Sequence, residues 1–411
     1  MKIAMFTNNY KPFVGGVPIS IERLANGLRK FGHTVYIFAP SYENQVDDEY
    51  IIRYRSLKHK IQHHIVIPNM MDKDIEKTFK SMNFDLIHVH HPMLIGYTAL
   101  YLGKKYHLPV VYTYHTRYEH YLHYLKIYDN LQKKYESEKV GFLRQMEGKL
   151  ISFTNEFFVP YHNRLFTNRC DFVFAPTPYM KQHLIERGTK SPIEIIPTGL
   201  ADDDFTCDSS IVDEIRKKYA TKNHHLFCTV SRLEKEKNFD FLLQSIKKYK
   251  EIAATPFYCL IIGDGSERNN LTKQTKELGL QDNVKFLGCI PHEELKNYYH
   301  ACDLFLFASK SETQGIVLLE AMAASLPVIA VNASGVCDVV KQSENGFMTE
   351  ENTEEFASRI HEVMNNVFEL KQLQKGAYYE STNYTNEIIA GKAEFIYKTL
   401  LCEKEELYIH A

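Results

Sequence analysis

Short apolar runs alternate with longer amphipathic segments along this chain. Residues 2–7 are a short apolar run, residues 19–31 place Ile21, Leu24 and Leu28 at helical spacing, and residues 35–38 are apolar again. Strand, helix and strand in this order form the unit of a parallel sheet. Further apolar runs follow at residues 84–89, 109–113, 172–176, 226–230, 260–262, 284–287, 304–307 and 327–331. The pattern predicts an α/β protein built on parallel sheets.

The length of 411 residues indicates two domains. We expect a first domain over residues 1–200, a polar linker at 201–210 that opens a second domain over 201–384, and a last helix within 385–411. Hydrophobic residues make up 44% and charged residues 24%, which is typical of a globular protein and argues against disorder. The eight cysteines include no Cys-x-x-Cys pair, so reduced thiols are expected rather than disulfides or zinc.

Charge is distributed unevenly between the two halves. Residues 1–200 carry 26 Lys and Arg against 18 Asp and Glu, whereas the remainder carries 23 against 33. Either the basic half meets an anionic membrane surface, or the two halves attract each other. The first residues lack a signal-peptide core and no apolar run reaches 18 residues, so we expect a cytoplasmic protein, peripheral to the membrane if bound to it. No nucleic-acid partner is expected, and the sequence does not predict an oligomeric state.

Two features of the first half lie where predicted strands end. Gly15 and Gly16 stand between the first strand and the first helix, where the backbone can approach a phosphate or sugar closely, although a plain turn explains the pair equally. The dinucleotide pattern Gly-x-Gly-x-x-Gly is absent, which disfavours NAD. His88 and His90 would share one face of a strand, and His115 ends another strand. No Asp, Glu or Cys joins these histidines at ligand spacing, so a metal site is not expected.

The second half offers cations and carboxylates at the corresponding places. Arg232 and Lys237 follow a predicted strand and precede a helix, which suits two contacts to a diphosphate or a solvated surface. Glu312 lies in a polar loop, and Glu320 lies eight residues later inside an apolar helix. A buried carboxylate needs a partner, which sugar hydroxyls or an internal cation would supply. Gly315 begins that helix, whose N–H groups can meet an anion.

The segment Ser311-Glu312-Thr313-Gln314-Gly315-Ile316-Val317-Leu318-Leu319-Glu320 resembles the donor-site signature of the retaining glycosyltransferases of family 4. Four more motifs occur in the order of that family: the Gly-Gly loop, the His115 strand, the Arg232 and Lys237 pair, and the glycine turn of Gly263 and Gly265. The glycine turn lacks the Lys-Ser/Thr of a P-loop. The resemblance implies the GT-B fold, with two Rossmann-like domains facing across a cleft, an acceptor on the first and a nucleotide sugar on the second. It also implies that the last helix crosses back to the first domain.

The resemblance assigns roles to individual residues. It implies catalytic roles for His115, Arg232, Lys237 and Glu312. Donor contacts are implied for Gly15, Gly16, Gly263, Gly265, Ile290, Thr313, Gln314, Gly315, Ile316, Val317 and Glu320, with Glu320 on the ribose and Glu312 on the sugar. It implies retention of configuration without a metal or a cofactor beyond the nucleotide sugar, for which UDP-glucose is the default.

The acceptor is predicted from residues 113–124, which are dense in Tyr and His and resemble the bacterial diacylglycerol glucosyltransferases of the same family. Tyr118, Glu119 and His90 are the acceptor-side candidates. Residues 126–170 predict basic helices that suit either a lipid surface or solvent. A membrane glycerolipid such as diacylglycerol is therefore the expected acceptor. A soluble or polysaccharide acceptor stays open, as does a noncatalytic protein that binds sugar nucleotides.

Overall fold

The structure is a computed structural model that describes residues 1–13, 15–45, 48–61, 65–69, 72–115, 159–220 and 224–409. The chain divides into two compact units. The first unit contains residues 1–198 together with 389–411, and the second contains residues 199–388. Each unit is built around one extended parallel sheet.

The sheet of the first unit has seven strands in the order β3-β2-β1-β6-β7-β8-β9. All adjacent strands within this sheet run parallel to each other. The strands β4 and β5 form a separate antiparallel pair. The strands are β1 Lys2–Phe6, β2 Thr34–Pro40, β3 Ile51–Tyr54, β4 Ser56–Ile61, β5 Ile65–Pro68, β6 Leu86–Val89, β7 Val110–Thr113, β8 Phe172–Ala175 and β9 Ile193–Ile195.

Helices cover both faces of this sheet, which explains why its central strands are apolar at consecutive positions instead of alternating. In β1, every residue from Ile3 to Phe6 is fully buried. The helices of the unit's first segment are α1 Gly16–Lys30, α2 Lys73–Met82, α3 Ile95–Tyr106, α4 Val159–Thr167 and α5 Pro178–Glu186.

The second unit holds a six-stranded sheet in the order β12-β11-β10-β13-β14-β15, again with all neighbours parallel. Its strands are β10 His225–Val230, β11 Phe257–Ile262, β12 Val284–Gly288, β13 Leu304–Phe307, β14 Val328–Val331 and β15 Gly346–Thr349. Its helices are α6 Ser209–Tyr219, α7 Phe239–Ile252, α8 Arg268–Glu277, α9 His292–Ala301, α10 Ile316–Ala323, α11 Thr353–Asn365 and α12 Val367–Thr382.

The helix α13, Asn386–Ile409, is shared by the two units. Its residues from Ile389 onward belong to the first unit. There Ala393 and Tyr397 are fully buried in the core cluster that contains Met5 and Phe174. The Tyr397 ring stacks on that of Phe174, with 5.8 Å between the ring centroids.

The strand order decides where the chemistry can lie in the second unit. Strands β10 and β13 are neighbours at the centre of the sheet, and the chain leaves them towards opposite edges. In such sheets, ligands bind beyond the carboxyl ends of the two strands at this switch point. Arg232 follows β10 and Glu312 follows β13, so the topology brings the two predicted motifs together.

The predicted α/β class is confirmed, and several element boundaries differ from the sequence-based expectations. Strands β3, β4 and β5 were not predicted, because residues 51–68 mix apolar and charged residues. Helix α11 ends at Asn365 and α12 begins at Val367, with only Asn366 between them. Of the basic helices predicted over residues 126–170, residues 126–158 lie outside the described residues, and α4 accounts for residues 159–167.

Candidate functional site

A left-handed glycine begins the helix that carries the second predicted carboxylate. Gly315 is the N-cap of α10 with φ of 70°, a conformation that favours glycine. Its carbonyl oxygen accepts a hydrogen bond from the N–H of Leu318 at 2.9 Å. The preceding N–H groups at the helix start have no intrahelical acceptor. They lie next to Gln314, whose side chain is buried, so the loop presents backbone donors in a place suited to an anion.

Glu320 is the buried carboxylate of this helix, with only 4% of the residue exposed. Its Oε1 lies 2.9 Å from His292 Nε2, and its Oε2 accepts a hydrogen bond from the Tyr299 hydroxyl at 3.3 Å. Both partners come from α9. Burial, followed by the negative charge of Glu320, raises the pKa of Tyr299, which therefore stays a neutral donor. A carboxylate has about four lone-pair sites, so two oxygens held in this way can still accept from a pair of hydroxyls.

Lys237 and Glu312 form an ion pair beyond the ends of β10 and β13. Lys237 Nζ donates to Glu312 Oε1, and both side chains are largely buried. Burial alone would raise the pKa of Glu312, but the charge and hydrogen bond of Lys237, assisted by Arg232, outweigh it and hold that pKa below its usual value. Arg232 itself is exposed and lies 3.3 Å from the carboxylate of Glu236. Its guanidinium therefore stands at the surface edge of the pair.

The glycine turn after β11 has a packing role. A Cβ at Gly263 would lie 1.9 Å from the carbonyl oxygen of Ser231, and one at Gly265 would lie 2.4 Å from that of Leu233. The N–H of Leu233 in turn donates to the carbonyl oxygen of Asp264 at 3.0 Å. The two glycines thus let the turn press against the backbone on either side of Arg232, which fixes the position of that residue.

A second close backbone contact fixes Glu312. Gly335 has φ of 78°, and a Cβ there would lie 2.7 Å from the carbonyl oxygen of Glu312. Ser311 and Ser334 form an isolated parallel bridge beside it. The loop that carries Glu312 is therefore held against residues 334–335 before any ligand arrives.

In the first unit, four histidines gather at the carboxyl ends of β6 and β7. His88 Nε2 lies 2.7 Å from the Thr113 hydroxyl, and its Nδ1 lies 2.7 Å from the Tyr397 hydroxyl. His90 Nδ1 lies 2.8 Å from His115 Nε2. The rings of His88 and His90 are 4.2 Å apart between centroids. The fourth histidine is His91, whose Nδ1 accepts a hydrogen bond from the N–H of Asn8 at 3.2 Å.

Burial keeps this cluster neutral. It lowers the pKa of His88 to about 3 and that of His91 to about 3. Burial, together with the neighbouring imidazoles, also lowers the pKa of His90 and of His115 well below the usual value. These rings therefore act as hydrogen-bonding groups of fixed orientation at neutral pH. Within the described residues, no group of three His, Cys, Asp or Glu side chains could hold a metal ion.

The glycine pair of the first unit behaves differently from the glycine turn of the second. Gly15 is the N-cap of α1, and Gly16 is its first residue. A Cβ at Gly16 would meet nothing within 4 Å, so packing within the protein does not require a glycine there. The open space in front of its backbone stays compatible with a ligand.

The structure brings Lys237 and Glu312 together, places Arg232 at their edge, and gathers His90 and His115. Tyr118 and Glu119, the two acceptor-side candidates of the aromatic segment, lie outside the described residues. Ile290 is partly buried against the core of the second unit, as is Val317. His292 and Tyr299 were missed by sequence reasoning. For His292 alone there was a signal, its position at a helix start two residues after the predicted donor contact Ile290.

Family profiles match both halves of the chain. The profile described as Glycosyltransferase Family 4 matches residues 14–204, and that described as Glycosyl transferases group 1 matches residues 211–379. The chain is 30% identical to an alpha-monoglucosyldiacylglycerol synthase of Streptococcus pneumoniae over 80% of this chain and 71% of that protein. The chain belongs to the group 1 glycosyltransferases of family 4. It is thus an enzyme of the hexosyltransferase class, as predicted.

Other comparisons agree with this family. This glycosyltransferase is 28% identical to an alpha-monoglucosyldiacylglycerol synthase of Acholeplasma laidlawii over 98% of both chains. Among solved structures, Anabaena HepE in complex with UDP and glucose aligns with a TM-score of 0.72 at 18% identity, covering 97% of this chain and all of that one. Sucrose-phosphate synthase of Thermosynechococcus elongatus aligns with a TM-score of 0.73 at 19% identity, covering 98% and 99%. These structures confirm the predicted GT-B class of two Rossmann-like domains.

Among the described residues, no helix of this glycosyltransferase combines the length and the apolar character that crossing a bilayer needs.

Proposed function

We propose that this glycosyltransferase moves a hexose from a nucleotide diphosphate sugar to a hydroxyl of a membrane glycerolipid, with retention of configuration. Diacylglycerol is the proposed acceptor and UDP-glucose the proposed donor. The observation that carries the proposal is the similarity to the Acholeplasma alpha-monoglucosyldiacylglycerol synthase, which extends over 98% of both chains and therefore includes acceptor and donor halves alike.

The reaction exchanges one C–O bond for another. The bond between the anomeric carbon and the diphosphate breaks, and a bond from that carbon to the acceptor oxygen forms. The proton of the acceptor hydroxyl passes to the departing diphosphate, so the products are the glycolipid and the nucleoside diphosphate. Negative charge grows on the diphosphate during this step, and preorganised donors that face it lower the barrier.

The second unit offers groups for each part of a nucleotide sugar. Arg232 and Lys237, with the N–H groups at the start of α10, are suited to the diphosphate. Glu320, held by His292 and Tyr299, is suited to the two ribose hydroxyls. Glu312 is suited to hydroxyls of the hexose, because its lowered pKa keeps it an acceptor. This set supports a nucleotide sugar without calling on a metal ion.

The test is a transfer assay with radiolabelled UDP- and GDP-sugars, each supplied with and without vesicles that contain diacylglycerol. The proposal expects a labelled glycolipid with one donor, only when lipid is present. Hydrolysis of a donor without a lipid product would overturn the acceptor and leave a transferase for soluble or polysaccharide acceptors. No binding of any donor would overturn the catalytic assignment and favour a noncatalytic sugar-nucleotide-binding protein.

A further inference from the structure

One helix of the second unit has an outer face unlike an ordinary protein surface. This outer face of α12 consists of the exposed positions of the helix, namely Val367, Phe368, Lys371, Gln372, Lys375, Tyr378 and Tyr379. Phe368 and Tyr379 are each 73% exposed, and Val367 is 65% exposed. Four large apolar or aromatic side chains and two lysines thus share the face, and it contains no carboxylate.

The helix cannot turn this face inward, because its opposite side is fixed. Leu373 and Ala377 are buried in the two core clusters of the second unit. Gly376 faces the carbonyl oxygen of Glu344, which a Cβ would approach to 1.9 Å. Glu380 is buried and accepts from Lys341 Nζ at 2.6 Å. The exposure of Phe368 and Tyr379 is therefore set by the packing of the helix.

The charges of α12 are sorted between its sides. Its two carboxylates, Glu369 and Glu380, are held by Asn366 at 3.3 Å and by Lys341, away from the outer face. Lys371 and Lys375 stand between the aromatic rings, and within the described residues neither takes part in an ion pair. Exposed aromatic rings interleaved with lysines match the chemistry of a bilayer interface, where rings enter the headgroup region and ammonium groups reach anionic phosphates.

The neighbouring helix α11 shows how an ordinary face of this unit looks. Its exposed positions are Glu354, Glu355, Ser358, Glu362 and Asn365, so it is polar and acidic. The contrast between two consecutive helices of one unit indicates that the outer face of α12 has a partner that α11 lacks. We propose that the outer face of α12 contacts the surface of an anionic lipid bilayer.

This proposal adds a partner to the proposed function. It rests on that function in one respect, which is that a lipid acceptor brings the enzyme to a membrane. It also differs from the sequence-based expectation, which placed membrane contact on the basic first half. Here the contact lies in the more acidic half of the sequence, on a face where Lys371 and Lys375 locally reverse the charge.

The protein contains no tryptophan, so a single substitution installs a unique fluorescent reporter. Phe368→Trp and Tyr379→Trp place it on the outer face, and Ser358→Trp on α11 is the matched control. The full chain is mixed with vesicles of phosphatidylcholine, of phosphatidylcholine with phosphatidylglycerol, and of the same mixture with brominated acyl chains. We expect a blue shift and bromine quenching at positions 368 and 379 on anionic vesicles, and neither at position 358.

Charge is tested separately from insertion. Lys371→Gln with Lys375→Gln lowers the partition into anionic vesicles by about fivefold for each lysine, and raised salt has the same effect on the unaltered protein. Partition into phosphatidylcholine alone changes little. Because these positions are exposed, the variants keep the far-ultraviolet circular dichroism of the parent protein.

Three results would overturn the proposal. The first is that the Phe368→Trp variant binds vesicles while its tryptophan emission maximum stays where it is in water. The second is that the protein does not bind vesicles at all. The third is a concentration-dependent shift of that variant's emission without lipid, which would mark the face as a contact between protein chains. Transfer to diacylglycerol dissolved in detergent is measured in parallel. If the parent protein lacks that transfer while the reporter of the Phe368→Trp variant still enters vesicles, the proposed function fails and the lipid contact stands.

Discussion

Lys237 and Glu312 lie 75 positions apart in the sequence and form a largely buried ion pair beyond the adjacent strands β10 and β13. Each member needs the other in the free enzyme, since a buried charge without a partner is costly. A diphosphate arriving next to Lys237 would offer that cation a second anionic partner. Glu312 would then be free to accept from sugar hydroxyls, so one pair serves both ends of the bond that breaks.

Replacing Lys237 tests this arrangement. We expect Lys237→Ala to lower kcat by roughly two to three orders of magnitude, because a positive charge that faces the departing diphosphate is lost. The effect is measured as the steady-state rate of transfer, with the donor that the assay of UDP- and GDP-sugars identifies. Lys235→Ala, an exposed lysine of the same 3-10 turn, is the matched control. Equal rates in the two variants would remove Lys237 from the site.

Glu320 is tested with a modified nucleotide. If its carboxylate accepts from the ribose, the parent enzyme binds UDP more tightly than 2′-deoxy-UDP, whereas Glu320→Ala binds both equally. Tyr299→Phe removes one donor that holds the carboxylate, and we expect about a fivefold loss of UDP affinity. Titration calorimetry measures all these affinities. A Glu320→Ala variant that still discriminates between the two nucleotides would place the ribose elsewhere.

The buried histidines make the first unit sensitive to acid. His88 and His91 have folded pKa values of about 3, below the unfolded value, so their contribution to stability is present above pH 6.5 and is lost as the pH falls towards 3. When the pH is lowered from 7 to 5, each of these two histidines should reduce the free energy of unfolding by about 2 kcal/mol. Urea titrations at the two pH values measure the change.

A substitution in the cluster should reduce this pH dependence. We expect His91→Gln to reduce the loss of stability between pH 7 and pH 5 by about 2 kcal/mol, because the protonation site of one buried histidine is removed. Ser358→Gln, at an exposed position of the second unit that carries no titratable group, serves as a control and should leave the pH dependence unaltered. A first unit that is equally stable at pH 7 and pH 5 would contradict the expectation.

The glycine turn gives a prediction about stability. Gly263→Ala combines a φ of 134° with a Cβ only 1.9 Å from the Ser231 carbonyl oxygen, and we expect a loss of at least about 3 kcal/mol in the second unit. Gly279→Ala has φ of 67° but nothing within 4 Å, so it isolates the backbone cost, about 1–2 kcal/mol. Urea midpoints compare the two variants. Equal losses would show that the contact with Ser231 relaxes without cost.

Sequence reasoning reached the parallel sheets because buried strands are recognisable as continuous apolar runs, as in residues 304–307. It also placed Glu312 in a loop and Glu320 in a helix, since polar and apolar surroundings differ sharply there. It missed His292 and Tyr299, because their contacts with Glu320 depend on how α9 packs beside α10, which no local pattern specifies. It paired Lys237 with a ligand and did not foresee its ion pair with Glu312, which arises from strand order.

The outer face of α12 was also beyond reach from the sequence. Phe368 and Tyr379 belong to a segment with apolar residues on more than one side, and only the burial of Leu373 and Ala377 shows that the aromatic side faces outward. A pattern of apolar residues gives the period of a helix but does not decide which side is covered when both sides carry apolar residues.

Helix α13 has a consequence for how the protein is made. The core of the first unit includes Ile389, Ala393 and Tyr397, which a ribosome adds almost two hundred residues after Thr198. The intervening residues 199–388 form a continuous unit that can fold as soon as it emerges. Domains commonly fold in the order of their synthesis, but here the unit that starts the chain is completed last. During translation, the part of this core that α13 covers, including the ring of Phe174, stays exposed until the last helix has been synthesised.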